Sequence, residues 1–174
     1  MIFVTVGTHE QPFNRLVEYV DNLKRDGLLD EDMIIQTGYS TYVPRYSKWQ
    51  KLYSYHQMIR LVDEARIVIT HGGPSSFIMP LQIGKIPIVV PRRHDFNEHV
   101  NNHQVAFSKA VAEQMGTIIV VMEIDKLFDT IKNYDAIINR MGSGFKSNNA
   151  RFNTELSKIV GEMFEEKIKD NDRW

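Results

Sequence analysis

The chain has 174 residues, a length that suits one domain with a sizeable core and is short for two full lobes. Its 43% hydrophobic and 25% charged residues are typical of a globular protein, and the formal net charge of -1 gives no excess of positive charge for binding nucleic acid. The absence of cysteine excludes disulfides, thiolate zinc sites and cysteine nucleophiles.

Short apolar runs alternate with amphipathic segments along most of the chain. No run approaches the roughly 18 apolar residues of a membrane span, and the first residues lack the basic start of a signal peptide, so we expect a cytoplasmic protein. Hydrophobic periodicity predicts the elements in chain order. They are a strand at 2–6, a helix at 12–23, a strand at 33–36, a loop with at most one strand at 39–53, a helix at 55–65, a strand at 67–70, a helix at 74–82, a strand at 86–90, a helix at 97–115, a strand at 117–122 and a helix at 124–139.

This alternation predicts the fold class. Almost wholly apolar strands that alternate with amphipathic helices indicate a mainly parallel sheet covered on both faces, the doubly wound, Rossmann-like α/β class. A glycine-containing break at 142–145 precedes a last amphipathic helix at about 149–168. We therefore predict a single domain over residues 1–174.

The loops after the predicted strands are the places to search for a site, because ligands of such sheets bind at the carboxyl ends of the strands. His71 follows one strand and opens the sequence HGGPSS. Gly72 and Gly73 allow close approach of the backbone, and the free N–H groups of the following helix turn form an anion site to which Ser75 and Ser76 can add hydrogen bonds. The alternative is that the glycines only form a tight turn.

Other motifs are absent or weak. The sequence contains no P-loop, no GxGxxG fingerprint and no GxSxG, which disfavours ATPase, dehydrogenase and hydrolase functions. His94, His99 and His103 suggest a zinc site, since the last two are four residues apart on a predicted helix. We predict no metal, because neighbouring polar residues such as Asn97 suit sugar hydroxyls equally well. A further alternative is that the histidines only cap or line the helix.

Three segments together carry a resemblance to a known family: FVTVGTHEQPFNRLV, ITHGGPSSFIMPLQIGKIPIVVPR and NNHQVAF. They resemble the nucleotide-sugar-binding, C-terminal half of GT-B glycosyltransferases of family 28. The chain is most similar to the stand-alone form, found as the small subunit of the eukaryotic transferase that acts on dolichol-linked sugar and among bacterial capsule and exopolysaccharide glycosyltransferases. The resemblance implies the donor lobe of the GT-B architecture and spans residues 2–120.

The resemblance also implies roles for particular residues. The HGG turn and the next helix would hold the UDP diphosphate, and the uracil would stack near Gly38 and Tyr39. Many family members carry a ribose-binding glutamate where this chain has Met79, which cannot accept a ribose hydroxyl. The resemblance assigns the donor to the VGT loop, the HGG turn with its helix, and the HQ pair by the sugar, and we add Arg92, for the charge of the leaving UDP, and the polar residues before the HQ pair. The predicted donor-binding residues are therefore Gly7, Thr8, Gly38, His71, Gly72, Gly73, Ser75, Ser76, Arg92, Asn97, His99, His103 and Gln104.

The implied reaction is inverting transfer of a hexose, galactose or a similar sugar, from a UDP-sugar to a lipid-pyrophosphate-linked saccharide. His9 and Glu10 are the candidate bases, and no cofactor is expected besides the UDP-sugar substrate. A membrane-anchored subunit would bind the lipid-linked acceptor and bring the chain to the inner face of the cell membrane. A homo-oligomer, a non-catalytic module that activates a partner, and a UDP-sugar epimerase are the open alternatives.

Overall fold

The computed structural model describes residues 1–141, so the predicted break at 142–145 and helix at 149–168 lie outside the described residues. Strands and helices alternate through most of this part of the chain. In order they are β1 (Ile2–Thr5), α1 (Asn14–Arg25), β2 (Met33–Gln36), β3 (Lys48–Gln50), α2 (Tyr55–Glu64), β4 (Ile67–Thr70), α3 (Pro74–Gln82), β5 (Ile88–Val89), α4 (His103–Met115), β6 (Ile119–Val120), α5 (Leu127–Lys132) and α6 (Tyr134–Met141), with single turns of 3-10 helix at His94–Phe96 and Ile124–Lys126.

The strands form one sheet in the order β3-β2-β1-β4-β5-β6, and every pairing is parallel. The predicted doubly wound α/β class is confirmed. β1 lies between β2 and β4, with Thr5 in register with Gln36 on one side and Thr70 on the other. The strand order therefore reverses beside β1, and in open α/β sheets this is where a crevice forms at the carboxyl ends of the strands.

The core lies on both faces of the sheet. One face packs β1, β2 and β4 against α1 and α5 through side chains such as Val4, Leu16 and Leu127, all fully buried. The other face holds two smaller clusters, one around Phe77 and Val111 beneath α3 and α4, and one beneath α2. This double coverage explains the continuous apolar sequences of β1, β4 and β5, since both faces of these central strands are buried.

Several predicted boundaries are wrong in an informative way. The helix predicted at 97–115 begins only at His103, because Asn97 adopts a left-handed conformation with φ of 56° and closes the 3-10 turn before it. The helix predicted at 124–139 is divided into a 3-10 turn, α5 and α6. β3 lies inside the segment predicted mainly as loop, and all three of its residues are exposed. Among residues 1–141, no helix is long and apolar enough to cross a membrane.

Candidate functional site

A cleft of about 790 Å³ lies at the carboxyl edge of the sheet, over the point where the strand order reverses. Its volume is in the range of small-molecule sites in proteins. The walls come from the ends of β1, β2 and β4, the loop after β1, the start of α2 and the first turns of α3. The lining residues are Thr5, Gly7, Thr8, His9, Glu10, Gln36, Leu52, Tyr53, Tyr55, Met58, His71, Ser75, Ser76 and Met79.

The His71 ring lies between two glycines at the floor of the cleft. A Cβ on Gly7 would collide with Cε1 of His71 and lie 2.7 Å from its Nε2, and a Cβ on Gly73 would meet the same ring, 3.0 Å from Cδ2. Gly7 also has a positive φ of 73°, which an L side chain rarely adopts. Both glycines therefore have a structural reason that requires no ligand: they leave room for the imidazole.

His71 is held in its neutral form. Only 8% of the residue is exposed, and Nδ1 has no hydrogen-bond partner among the described residues. Burial lowers the pKa of His71 to about 3, and the nearby Arg92 charge adds to the effect. The residue that lines the floor of the cleft is therefore an uncharged ring, and its Nδ1 is buried beneath the surface of the cleft.

The N-terminus of α3 points into the cleft without a side-chain cap. Gly73 is the N-cap, Pro74 occupies the first helical position, and the first turn carries no acidic residue. The Ser76 hydroxyl donates to the carbonyls of Gly73, at 2.6 Å, and His71, at 3.1 Å, so its proton is already used within the turn. Ser75 is exposed and lines the cleft. The positive end of the helix dipole and the Ser75 hydroxyl are what this turn offers an anion.

Arg92 does not reach the cleft, contrary to the prediction that it contacts the donor. It is fully buried, and its guanidinium donates to the carbonyls of Gln11 at 2.7 Å, Val6 at 2.8 Å and Glu98 at 3.1 Å. Burial lowers the pKa of Arg92 to about 10, so it remains charged at neutral pH. Arg92 thus fixes the loop after β1 to the loop after β5, and acts on the cleft only by positioning those loops.

Gln104 links the same loops from the start of α4. Its Oε1 accepts hydrogen bonds from the backbone N–H of Gly72 at 3.1 Å and of Arg92 at 3.2 Å. A Cβ on Gly72 would lie 2.8 Å from both Gln104 Cβ and Ser108 Oγ, so glycine is needed here for the contact with α4. The side-chain carbonyl of Gln104 is therefore occupied by two backbone N–H groups, which leaves its side-chain NH2 group for the predicted contact with the sugar.

A buried ion pair missed at the level of sequence supports the loop after β5. Arg15 of α1 makes two bonds to Glu98, at 2.8 Å and 2.9 Å, and only 4% of the Glu98 side chain is exposed. Glu98 also accepts from the backbone N–H of Arg93 at 3.0 Å. No signal in one sequence pairs residues 83 positions apart, so this anchor could not have been found by spacing.

Of the other candidate histidines, His9 and His99 lie together, and His103 lies at the start of α4. His9 lines the cleft, donates through Nε2 to Gln11 Oε1 at 3.1 Å, and packs on the ring of His99 with centroids 4.6 Å apart. Burial and the neighbouring His9 lower the pKa of His99. His103 is the first residue of α4. His99 precedes that helix, so the two do not share a helical face, and residues 1–141 contain no cluster of three or more ligating side chains suited to a metal ion.

Gly38 and Asn97 have conformational roles. Gly38 has a φ of 54°, and a Cβ there would lie 2.5 Å from the carbonyl oxygen of Gly7, so it allows the loops after β1 and β2 to touch. Neither Gly38 nor Tyr39 lines the cleft, so the uracil position predicted beside them lies outside it. Asn97 is exposed and closes the 3-10 turn. The structure brings Gly7, Thr8, His9, Glu10, His71, Ser75 and Ser76 together in the cleft, and leaves Gly38, Gly72, Gly73, Arg92, Asn97, His99, His103 and Gln104 behind or beside it.

An apolar wall of the cleft was not predicted. It combines two tyrosines with one leucine and two methionines, and one of these methionines, Met79, belongs to α3 itself. Tyr53 is fixed by an edge contact with Phe3, with ring centroids 6.1 Å apart. Two residues of the wall directly follow β3, a strand too short and polar to be recognised by periodicity. Its members are Leu52, Tyr53, Tyr55, Met58 and Met79.

The cleft therefore pairs two kinds of surface. One is the uncapped N-terminus of α3 with a neutral histidine, and the other is the apolar wall of tyrosine, leucine and methionine side chains. Such a site suits an elongated ligand with an anionic group and a flat, partly apolar ring.

Comparison with known proteins supports the fold. Three solved structures share the fold: the glycotransferase of kitacinnamycin (17% identity, TM-score 0.57), the glycosyltransferase SnogD from Streptomyces nogalater (16%, 0.50) and CalG4, the calicheamicin glycosyltransferase (14%, 0.55). They align with 98%, 91% and 93% of this chain. The chain spans only 42%, 39% and 43% of their lengths, and no curated protein matches the sequence.

The family model agrees with the resemblance read from the three sequence segments. Residues 1–151 match the model described as the glycosyltransferase family 28 C-terminal domain. This match covers both the loop after β1 and the HGG turn that form the cleft. The chain belongs to the glycosyltransferase family 28 C-terminal domain family.

Proposed function

We propose that this chain is the donor-binding subunit of an inverting UDP-sugar glycosyltransferase. The observation that carries the proposal is the cleft at the reversal of strand order, which is lined by both an uncapped helix N-terminus and an apolar, tyrosine-containing wall. Membership of family 28 supports the transferase class. The transferred sugar is proposed to be a hexose, galactose or a similar one, because the resemblance to bacterial exopolysaccharide enzymes favours it.

In this proposal the diphosphate lies against the first turn of α3, where backbone N–H groups, the helix dipole and Ser75 stabilise its charge. The base lies on the wall formed by Tyr53 and its neighbours. With Met79 in the cleft, the ribose needs another partner. Gln36 lines the cleft, and its Oε1 is buried without a hydrogen-bond partner among residues 1–141, so we assign the ribose hydroxyls to Gln36.

The proposed chemistry is attack of an acceptor hydroxyl on the anomeric carbon while its bond to the UDP oxygen breaks. A base must take the hydroxyl proton. His9 and Glu10 both line the cleft, and because Nε2 of His9 donates to Gln11, its Nδ1 carries the lone pair available for a proton. The α3 turn would stabilise the negative charge that develops on the departing UDP, without a metal or other cofactor.

We place the acceptor site on another polypeptide segment, because the chain spans about two fifths of the structural neighbours. The proposed partner is a membrane-anchored subunit that holds a lipid-pyrophosphate-linked saccharide for capsule or exopolysaccharide synthesis. That partner would keep this chain at the cytoplasmic face of the cell membrane.

Ser75→Glu tests the site. Ser75 is exposed in the first helical turn, where an acidic side chain favours the helix, so the fold should be kept while the carboxylate repels the diphosphate. Calorimetry should show at least about tenfold weaker UDP binding, equivalent to about 1.4 kcal/mol. Ala136→Glu is the matched control, because Ala136 is also exposed in the first turn of a helix, α6. Its neighbour Asp135 pairs with Arg66, which lies just before β4 and therefore at the end of that strand away from the cleft. Equal UDP affinity in both variants and the wild type would contradict the site.

Labelled UDP-sugars separate the proposed transferase from its alternatives. The chain incubated with a membrane fraction should move label into lipid-extractable product, and His9→Ala should retain UDP binding and lose transfer. Label that changes sugar identity while still attached to UDP would instead indicate an epimerase. Full transfer by both His9→Ala and Glu10→Ala would indicate that the base lies on the partner, with this chain as a binding module.

A further inference from the structure

An exposed segment at the β3 edge of the sheet carries apolar and basic side chains in a regular order. The sequence VPRYSKWQKL at 43–52 places an apolar residue at every third position and a basic residue two positions after each of the first three. The apolar residues are between 39% and 57% exposed. We define these residues as the edge surface: Val43, Arg45, Tyr46, Lys48, Trp49, Lys51 and Leu52.

The edge surface is held in a fixed position. β3 is the outermost strand and pairs only with β2 within the described residues. The preceding loop is fastened to α1 by the fully buried Asp21, whose carboxylate accepts from Tyr42 Oη and from the backbone N–H groups of Arg45 and Tyr46 at 2.8–3.0 Å. The exposed apolar side chains therefore belong to an ordered part of the molecule.

The segment that contains this edge is positively charged, whereas the rest of the chain is negatively charged. None of the 22 acidic residues lies between Met33 and Val62, a stretch with four of the basic residues, so the remainder of the chain carries a net charge of -5 against -1 for the whole. Apart from the buried Asp21, which bonds to the backbone of this segment, the one acidic side chain paired with a basic side chain of the edge surface among the described residues is Asp32, 3.7 Å from Lys48, with both side chains about three-quarters exposed. An exposed pair of this kind contributes little and leaves the edge surface positive.

Three explanations account for such a surface to different extents. Lysine on an edge strand prevents strand-to-strand aggregation, but this does not explain an exposed Trp49 beside it. The core of a protein interface is depleted of lysine, whereas here basic and apolar residues interleave without a separate core and rim. At an anionic bilayer, tryptophan, tyrosine and aliphatic side chains enter the interface while lysine and arginine remain with the headgroups.

We propose that the edge surface binds the anionic surface of a lipid bilayer directly. The contact goes beyond the proposed function, in which a partner subunit alone brings the chain to the membrane, and it does not depend on glycosyl transfer. Leu52 belongs to both the edge surface and the wall of the cleft, so membrane contact places the cleft beside the headgroups.

The test uses the full chain with Trp174→Phe, which leaves Trp49 as the only tryptophan. Vesicles of phosphatidylcholine with phosphatidylglycerol should shift Trp49 emission to the blue, and brominated lipid should quench it. Vesicles of phosphatidylcholine alone should do neither, and added salt should weaken binding. Lys48→Gln with Lys51→Gln should lower the partition coefficient at least about 20-fold, or about fivefold per basic residue.

Lys109→Gln with Lys132→Gln is the matched control, because both lysines are exposed on helices away from β3. It should change partitioning by about twofold at most, and circular dichroism and UDP affinity should be unchanged in both double variants. Equal binding to neutral vesicles, an equal loss in the control, or vesicle binding without a change in Trp49 emission would overturn the proposal. So would absence of vesicle binding together with self-association or RNA binding that the Lys48 and Lys51 variant abolishes.

Discussion

Lowering the pH should destabilise the fold through His71. In the folded state burial holds the pKa of His71 at about 3, whereas an unfolded histidine titrates near 6.5. As the pH falls below 6.5 the unfolded chain binds a proton that the folded chain does not, so the stability contributed by the neutral ring is complete above 6.5 and is lost as the pH falls toward 3. Between pH 7.5 and pH 5.0 the unfolded ring is protonated over the last 1.5 pH units or so, from its pKa near 6.5 down to pH 5.0. At about 1.4 kcal/mol per unit, the free energy of unfolding falls by about 2 kcal/mol.

Urea denaturation at the two pH values measures this loss, with His71→Gln as the reference protein. The other five histidines are present in both proteins, so their contributions largely cancel in the difference. We expect the wild type to lose about 2 kcal/mol more than the variant on acidification. Titration of the wild-type ring by NMR checks the cause, because His71 should remain neutral down to about pH 4. A ring that titrates near pH 6.5, or equal losses in the two proteins, would refute the reasoning.

Two further predictions concern the loops around the cleft. Gly73→Ala should destabilise the fold by about 1–3 kcal/mol, because its Cβ meets the His71 ring, and the added change His71→Ala should restore part of that loss in urea denaturation. Gln104→Ala should weaken UDP and UDP-sugar binding by the same factor, because it frees the N–H groups of Gly72 and Arg92, while Gln104→Glu, which keeps an acceptor, should lose less. A loss confined to UDP-sugar in calorimetry would return Gln104 to the sugar site.

The sequence predicts the fold well because the signals for it are local. The strands at 33–36 and 67–70 and the helix at 74–82 match the structure to the residue, since each is bounded by glycine, proline or a clear change of period. Periodicity fails where tertiary contacts decide the backbone. The segment before His103 is predicted to be helical, yet the Arg15–Glu98 pair and the bonds of Arg92 hold it as a 3-10 turn and loop.

The candidate site could be located from the sequence, but the roles of its residues could not. A glycine-rich turn after a strand indicates where a ligand can approach, and His71, Ser75 and Ser76 do line the cleft. The same motif cannot show which polar groups are already paired. The Ser76 hydroxyl and the side-chain carbonyl of Gln104 are groups expected of ligand-binding residues, and both are bonded to backbone groups of the loops around the cleft.

The motif residues therefore divide into those that face the cleft and those that hold it in shape. Gly7 and Gly73 make room for His71, while Arg92 and Gln104 fasten the loops after β1, β4 and β5 to one another. A cleft bordered by several loops needs such fastening, because a helix N-terminus binds an anion well only when its N–H groups are already oriented. The sequence similarity that marks this family can thus be maintained by two separate requirements, ligand contact and loop geometry. Only variants that spare the geometry, as Ser75→Glu does, report on the ligand alone.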